Sequence, residues 1–357
     1  MEINMRIFVI NPGSTSTKIA LYDDEKQIFE TRVMHDSREI DLYPCPGDQK
    51  DMRLKAILQS LDDNKIDVST IDCISARGGF LRPMESGTYE VDDKMLTDLR
   101  GPIASSHAAA LGGLIGHELA LQWGCKAYIV DPVVVDEMAP VAKLSGLAGI
   151  ERRSIFHALN TKQILRKVAK EFKKTYEEGR FIAVHMGGGV TVSAHKYGRV
   201  VDVNDAMGGD GAFTPDRTGA LPVYAVVDMC FSGKYTREEM LDIMQCKGGL
   251  YSYLGTNNMP EVEKRIDDGD EFAALVIDSM AYQISKEVGA MFAALEGDVD
   301  AIVLTGGIAY SERFVSLIEK RIARLAKVII YPGEDEMQAL ADGAIRVLSG
   351  KAEAKKY

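Results

Sequence analysis

Short apolar runs bounded by glycine, proline or polar residues alternate along this chain with longer stretches whose apolar positions recur every three or four residues. "IFVINPGS" near the start, "CISARGG" (73–79), "KAYIVDP" (126–132), "FIAVHMGGG" (181–189), "RVVDV" (199–203), "DAIVLTGG" (300–307) and "KVIIYPG" (327–333) carry the β-branched content and terminal turn residues of strands. Over 156–177, Phe156, Leu159, Leu165, Val168 and Phe172 fall near helical spacing. Over 270–296 the same holds for Phe272, Val276, Met280, Ile284, Val288 and Phe292. Strands alternating with helices predict an α/β architecture.

One pattern occurs twice. "IFVINPGSTSTKIALYDDEKQIFETRV" and "FIAVHMGGGVTVSAHKYGRVVDVN", set with Asn11 against His185, each read as an apolar strand, a turn of small residues, a second strand, a polar turn and a third strand. An internal duplication producing two similar lobes explains this. Chance recurrence of a common meander explains it too.

Length and charge narrow the possibilities. At 357 residues the chain exceeds one ordinary core and suggests two domains. Its formal net charge of −11 argues against a sequence-independent hold on nucleic acid, which needs a basic surface. Five cysteines, an odd number with no C-x-x-C, suggest neither a disulfide framework nor a zinc site and fit a reducing cytoplasm. No apolar segment near the start exceeds "IFVI", so neither a signal peptide nor a membrane span is expected. The polar "KAEAKKY" at the end is expected to fray.

Candidate chemistry lies in the turns that end strands. Glycine lets a backbone approach a ligand, and successive N–H groups in a tight turn form a concave anion site. Ser14, Thr15, Ser16 and Thr17 add hydroxyls to the first turn. Lys18 adds a charge, although two residues on it points away as readily as toward the turn. Taken alone, each loop is also explained by a solvated turn with no ligand, since Ser, Thr and Asn are ordinary there. A third element, "LTGGIAYSERF" (304–314), runs a strand through Gly306 and Gly307 into a helix, a ready anion or nucleotide site. Neither G-x-x-x-x-G-K-[ST] nor G-x-G-x-x-G occurs. Arg77, Asp131, His157, Arg217, Asp335 and Glu336 stand at strand ends or turns, where they line a cleft or simply cap an element. His35, His117 and His195 read as ordinary helix-face or strand-surface residues.

"INPGSTSTK", "ARGG", "VDPVVVDEM", "SIFHALN", "HMGGG", "FTPDRTGALP", "IVLTGGIA" and "EDEMQALA" occur in this order over about residues 6 to 350. In this the chain resembles the butyrate kinases of the acetate kinase family, within the larger superfamily of acetate and sugar kinases, heat-shock chaperones and actin. The resemblance implies two duplicated ribonuclease-H-like (actin-like ATPase) domains with a nucleotide cleft between them. It assigns 1–155 to an acyl-substrate lobe, with a helix at 337–350 returning to it, and 156–336 to a nucleotide-binding lobe. It also implies ATP/ADP and Mg2+ as cofactors, a cytoplasmic homo-oligomer (a dimer or larger), and no nucleic-acid or membrane partner. Asn11 matches the family's phosphate and metal-site Asn, Ser14 and Ser16 its hydroxyls, and Lys18 follows them. His185 and Gly187, Gly188 and Gly189 match the second phosphate loop; Gly306, Gly307 and Ile308 match the adenosine site. Asp131 matches an Asp near the metal, His157 the His that stabilises the transferring phosphoryl group, Arg217 a catalytic Arg, and Glu336 the Glu that holds magnesium.

Three departures matter. Aligned on the Gly pair of "CISARGG", the family's catalytic Arg falls on Ile74, so Arg77 is expected to supply the guanidinium from a shifted position. A nucleotide-contacting Asp-Phe-Arg of acetate kinases is here Asn258-Met259-Pro260, which removes any basis for carrying over base selectivity. "AMGGDGAFTPD" (206–216) is Gly-rich where acetate kinases carry bulkier side chains, which makes room for a longer acyl chain. The implied reaction is ATP plus a short-chain carboxylate (butyrate, or a branched analogue such as isobutyrate) to ADP plus acyl phosphate. Two alternatives stand beside it: an alcohol or sugar kinase with Asp131 as base, and a non-enzymatic ATP switch.

Overall fold

The first apolar run becomes the centre of a sheet because both of its faces are covered. Phe8 and Ile10 point into one cluster of buried side chains, Ile7 and Val9 into another. The computed structural model describes residues 4–357. They form two units. The first holds the described residues through Val135, Ala158–Gln163 and Asp335–Tyr357; the second holds Asp136–His157 and Ile164–Glu334.

In the first unit β1 (Arg6–Pro12), β2 (Ser16–Asp23), β3 (Lys26–Met34), β4 (Cys73–Ala76), β5 (Thr88–Glu90) and β6 (Lys126–Val130) form one sheet in the order β3-β2-β1-β4-β6-β5. In the second unit β7 (Arg180–Met186), β8 (Val190–Lys196), β9 (Arg199–Val203), β10 (Ala301–Gly306) and β11 (Lys327–Pro332) form another in the order β11-β10-β7-β8-β9. Each sheet has an antiparallel three-strand meander whose first strand pairs in parallel with the next strand inward. The two units thus share one topology, and the first adds the antiparallel edge strand β5. This is the duplicated α/β architecture that the repeated meander suggests.

Helices cover the sheets. In the first unit Leu54, Ile57 and Leu61 of Lys50–Asp63, with Leu111 and Ile115 of Ala110–Trp123, pack on one face. Met337, Leu340, Ala344 and Ile345 of Glu336–Leu348 pack on the other, against Ile7, Val9, Tyr22 and Val130. In the second unit Glu271–Ala294 and Glu312–Ile322 bury their apolar stripes against Ile182, Val184 and Met186. The helical period at 156–177 and 270–296 yields helices at Ala158–Glu171 and Glu271–Ala294.

Several local expectations are corrected. The C-terminal segment is docked rather than frayed. Lys355 N–H donates to Thr88 O at 2.8 Å, and Lys355 O accepts from Glu90 N–H at 3.1 Å. Tyr357 donates its hydroxyl to Asp98 at 2.7 Å and accepts Arg82 N–H at 2.9 Å. His195 is buried rather than on a strand surface, because β8 lies between β7 and β9 with both faces covered. Its ring nitrogens reach Tyr176 Oη (2.7 Å) and Ser193 Oγ (2.8 Å). His35 is buried too, with Nε2 2.9 Å from Thr17 Oγ1. All five cysteines are free, and no helix among the described residues is long and apolar enough to cross a membrane.

Candidate active site

In the first unit three elements deliver three functional groups to one place. Asn11 ends β1, Arg77 follows β4, and Glu336 opens the helix Glu336–Leu348. Glu336 Oε2 accepts from Asn11 Nδ2 at 2.8 Å and from Arg77 Nη1 at 3.2 Å. Arg77 Nη1 also lies 3.4 Å from Asn11 Oδ1. The guanidinium that follows the "ARGG" strand is therefore assembled with the amide and the carboxylate. Ile74 is wholly buried in β4. Lys18 stands directly across from Asn11 in the β1–β2 register, and opposed residues share a face, so it does not turn away from Asn11. Ser14 and Thr15 are exposed in the turn, and Ser16 is partly buried.

Asp131 is almost fully buried and has a left-handed backbone, φ 38°, which is uncommon for a residue other than glycine. Its Oδ1 accepts from Ser86 Oγ at 2.6 Å and from the Gly87 N–H at 2.8 Å. A strained backbone with its carboxylate pinned in this way is the kind of feature that clusters at functional sites.

The donor set fits magnesium better than a protein-only metal cage. Asn11 and Glu336 offer hard oxygens, and magnesium characteristically takes one or two carboxylates, substrate phosphates and waters. Among the described residues no three His, Cys, Asp or Glu side chains group as a complete set of metal ligands.

The second unit gathers His157, His185, the glycine loop and Arg217. His157 occupies the N-cap position of Ala158–Glu171 and stacks on His185, ring centroids 3.9 Å apart and planes 15° from parallel. His157 Nδ1 is 3.2 Å from Thr191 Oγ1, and the buried His185 places Nε2 3.5 Å from Glu334 Oε1. Gly187–Gly189 join β7 to β8. Thr214 ties this loop to the arginine: its Oγ1 donates to Gly188 O at 2.7 Å and accepts the Asp216 and Arg217 N–H groups at 3.2 and 3.0 Å. Arg217 Nη1 donates to Ala206 O at 3.0 Å, while its buried Nε has no partner among the described residues. Burial pulls this guanidinium's pKa below its ordinary value; an arginine nevertheless stays charged.

Arg217 borders a cavity of about 190 Å3 that lies wholly within the second unit. Val190, Met207, Ala212, Leu241 and Met244 supply apolar wall, and Gly208 and Gly209 leave it open. Arg153, Asp210, Thr214, Arg217 and Gln245 add polar groups to this lining.

Gly306 and Gly307 end β10 and enter a single 3₁₀ turn, Gly307–Tyr310, ahead of the helix Glu312–Ile322. Gly306 has φ 91°, and a Cβ there would meet Met186 O at 2.4 Å, so only glycine closes this turn over β7. Gly307 is exposed and Ile308 is buried. Asn258 caps the helix Met259–Asp267 by accepting the Glu261 N–H at 3.3 Å.

Residues 141–351, more than half of the chain, match the model of the acetokinase family. The chain belongs to the acetokinase family. Solved acetokinases share its fold. Porphyromonas gingivalis acetate kinase superposes with a TM-score of 0.78 at 19% identity, covering 96% of this chain and all of that one. The propionate kinase of Francisella tularensis gives 0.76 at 18% identity over 95% and 98%. Acetate kinase from Entamoeba histolytica gives 0.77 at 16% over 95% and 98%. At these identities the likeness is one of fold. The span that matches the family contains His157, His185, Gly187–Gly189, Arg217, Gly306–Ile308 and Glu336.

Sequence reasoning passed over Arg53, Gln49, Thr214 and Ser86. For Arg53 a signal existed: it shares a helical face with Ile57 and Leu61, so a charge sits on the buried stripe.

Proposed function

We propose that this acetokinase phosphorylates a short-chain carboxylate of four or five carbons, butyrate or a branched analogue, using ATP. The observation that carries the finer reading is the cavity beside Arg217. Its 190 Å3 and its largely apolar lining leave room for an acyl chain longer than that of acetate. The Gly-rich segment 206–210 forms part of its wall. Family membership supports the carboxylate as the acceptor.

A carboxylate needs no general base, because its pKa near 4 leaves it ionised at neutral pH. The barrier lies in bringing one anion to another in line. A carboxylate oxygen forms a bond to the γ-phosphorus of ATP as the bond from that phosphorus to the β-bridging oxygen breaks, and ADP leaves. Arg217 and Arg77 offset the negative charge of the carboxylate and of the phosphoryl group in flight. His157, held by Thr191 and the His185 ring, donates to a phosphoryl oxygen. Ser14, Ser16, Lys18 and Gly187–Gly189 bind phosphates, and Gly306–Ile308 bind the adenosine. Asn11 and Glu336, with Asp131 through water, would hold magnesium. When bound, this ion neutralises phosphate charge.

The test is hydroxamate trapping with ATP and magnesium across acetate, propionate, butyrate, isobutyrate, valerate and isovalerate. The expected result is a maximum of kcat/KM at four or five carbons. A maximum at acetate would retain the chemistry and discard the cavity argument. No acyl phosphate from any acid, with ATP binding intact, would favour an alcohol kinase or an ATP switch.

A further inference from the structure

The first phosphate turn, Gly13–Ser16, has a protein donor on every carbonyl. Arg53 Nη1 donates to Gly13 O at 2.7 Å and Ser16 O at 3.3 Å, and its Nη2 donates to Ser14 O at 2.8 Å. Thr15 O accepts the His35 N–H at 3.0 Å. The C=O and the N–H of a planar trans peptide point in opposite directions. Drawing the Gly13 and Ser14 carbonyls onto Arg53 therefore turns the N–H groups of Ser14 and Thr15 away from it, on the exposed side of the turn. Successive N–H groups presented this way form an anion-binding concavity.

Arg53 is itself wholly buried. Its remaining hydrogen bonds go to Gln49 Oε1, at 3.1 Å from Nε and 2.7 Å from Nη2, and to Thr17 Oγ1 at 3.3 Å. All these partners are neutral, so a full positive charge stands behind the turn with no carboxylate bonded to it among the described residues. Burial and the Arg53 charge push the neighbouring His35 down to about 4, which keeps that ring neutral and leaves Arg53 as the cation of this cluster. Burying a charge without a counter-ion is costly, and an anionic ligand on the far side of the turn relieves that cost.

We propose that Arg53 is a positioning residue for phosphate binding, one that sets the turn and supplies the buried charge that draws a polyanion to it. The proposal rests on the ATP-dependent reading above. Gln49→Glu separates charge from shape: the new carboxylate accepts the same two guanidinium hydrogen bonds but cancels the positive charge. Arg53→Lys keeps the charge but replaces the planar five-donor fork with a three-donor ammonium, too few to hold the three carbonyls, Thr17 and Gln49 together.

The experiment titrates the full-length protein and both variants with ADP and a non-hydrolysable ATP analogue by calorimetry, alongside KM for ATP, kcat and thermal unfolding. For Gln49→Glu the expected result is about a tenfold rise in nucleotide Kd and in KM for ATP, with a much smaller change in kcat. Arg53→Lys is expected to weaken binding by a similar factor, and it carries the test should Gln49→Glu fail to fold. Wild-type affinity in a folded variant would overturn the proposal. Wild-type protein that binds neither nucleotide nor pyrophosphate would overturn the kinase reading and the proposal with it.

Discussion

A Cβ atom on Gly189 would lie 2.1 Å from Nη1 of Arg217. The second glycine loop and the buried arginine thus occupy adjoining space, and the loop is glycine where the guanidinium passes. Gly189→Ala is expected to displace Arg217 from its bond to Ala206 O. The predicted consequence is a fall in kcat of about a hundredfold or more, with the melting temperature nearly unchanged. A purified variant with wild-type kcat would show that the guanidinium tolerates another position.

Removing that guanidinium should cost more. A transition-state arginine in phosphoryl transfer is worth roughly 10³ to 10⁵ in rate. Arg217→Ala is expected to lower kcat by about 10³ with a smaller effect on KM for ATP. Retention of a third of wild-type kcat by folded Arg217→Ala protein would rule out this role.

Glu336→Gln preserves an oxygen to accept from Asn11 but removes the charge shared with Arg77. The expected outcome is a magnesium requirement raised by about tenfold or more, with KM for the carboxylate less affected. An activity-against-magnesium curve superimposable on wild type would exclude Glu336 as a metal ligand.

Met244 lines the cavity beside Arg217. Truncating it by Met244→Ala should shift the maximum of kcat/KM toward a longer acid, each added methylene being worth about tenfold or more in discrimination. An unchanged chain-length profile would place the acyl chain elsewhere.

His35 gives a pH signature for stability. Its folded pKa is depressed to about 4, against about 6.5 when unfolded, by burial first and the Arg53 charge second. Between these values the unfolded chain binds more protons, so stability rises with pH across that window. The contribution is complete above about pH 6.5 and is lost as pH falls toward 4, up to about 3 kcal/mol. Urea unfolding of wild type and His35→Asn between pH 4 and 7.5 should show that component flattened in the variant.

The repeated meander was legible because apolar alternation and turn residues recur locally. "IFVINPGSTSTKIALYDD" and "FIAVHMGGGVTVSAHKYG" become the antiparallel pairs β1–β2 and β7–β8, the second closed by a connection one residue shorter: Pro12 pairs with Thr17, Met186 with Val190. Position beyond the local segment was not legible. His195 sits in a strand whose sequence alternates like a half-exposed one, yet its neighbours bury it. "KAEAKKY" is polar, but pairing with β5 and the Tyr357 hydroxyl dock it. Motifs nominated Asn11, Arg77 and Glu336 from distant parts of the chain; only the fold brings them within hydrogen-bonding reach. Arg53 escaped notice because its partners are backbone carbonyls, which no side-chain pattern reveals.

The helix Glu336–Leu348 covers one face of a sheet whose central strand begins at Arg6. During synthesis the first hundred and more residues therefore leave the ribosome with Ile7, Val9 and Tyr22 lacking their cover. That face closes only after the helix Glu336–Leu348 has been made. The second unit, whose last residue is Glu334, has all of its own core by then. The half of the protein translated first is thus the half completed last, and a nascent chain stalled before residue 336 exposes an apolar sheet face that a chaperone would need to shield.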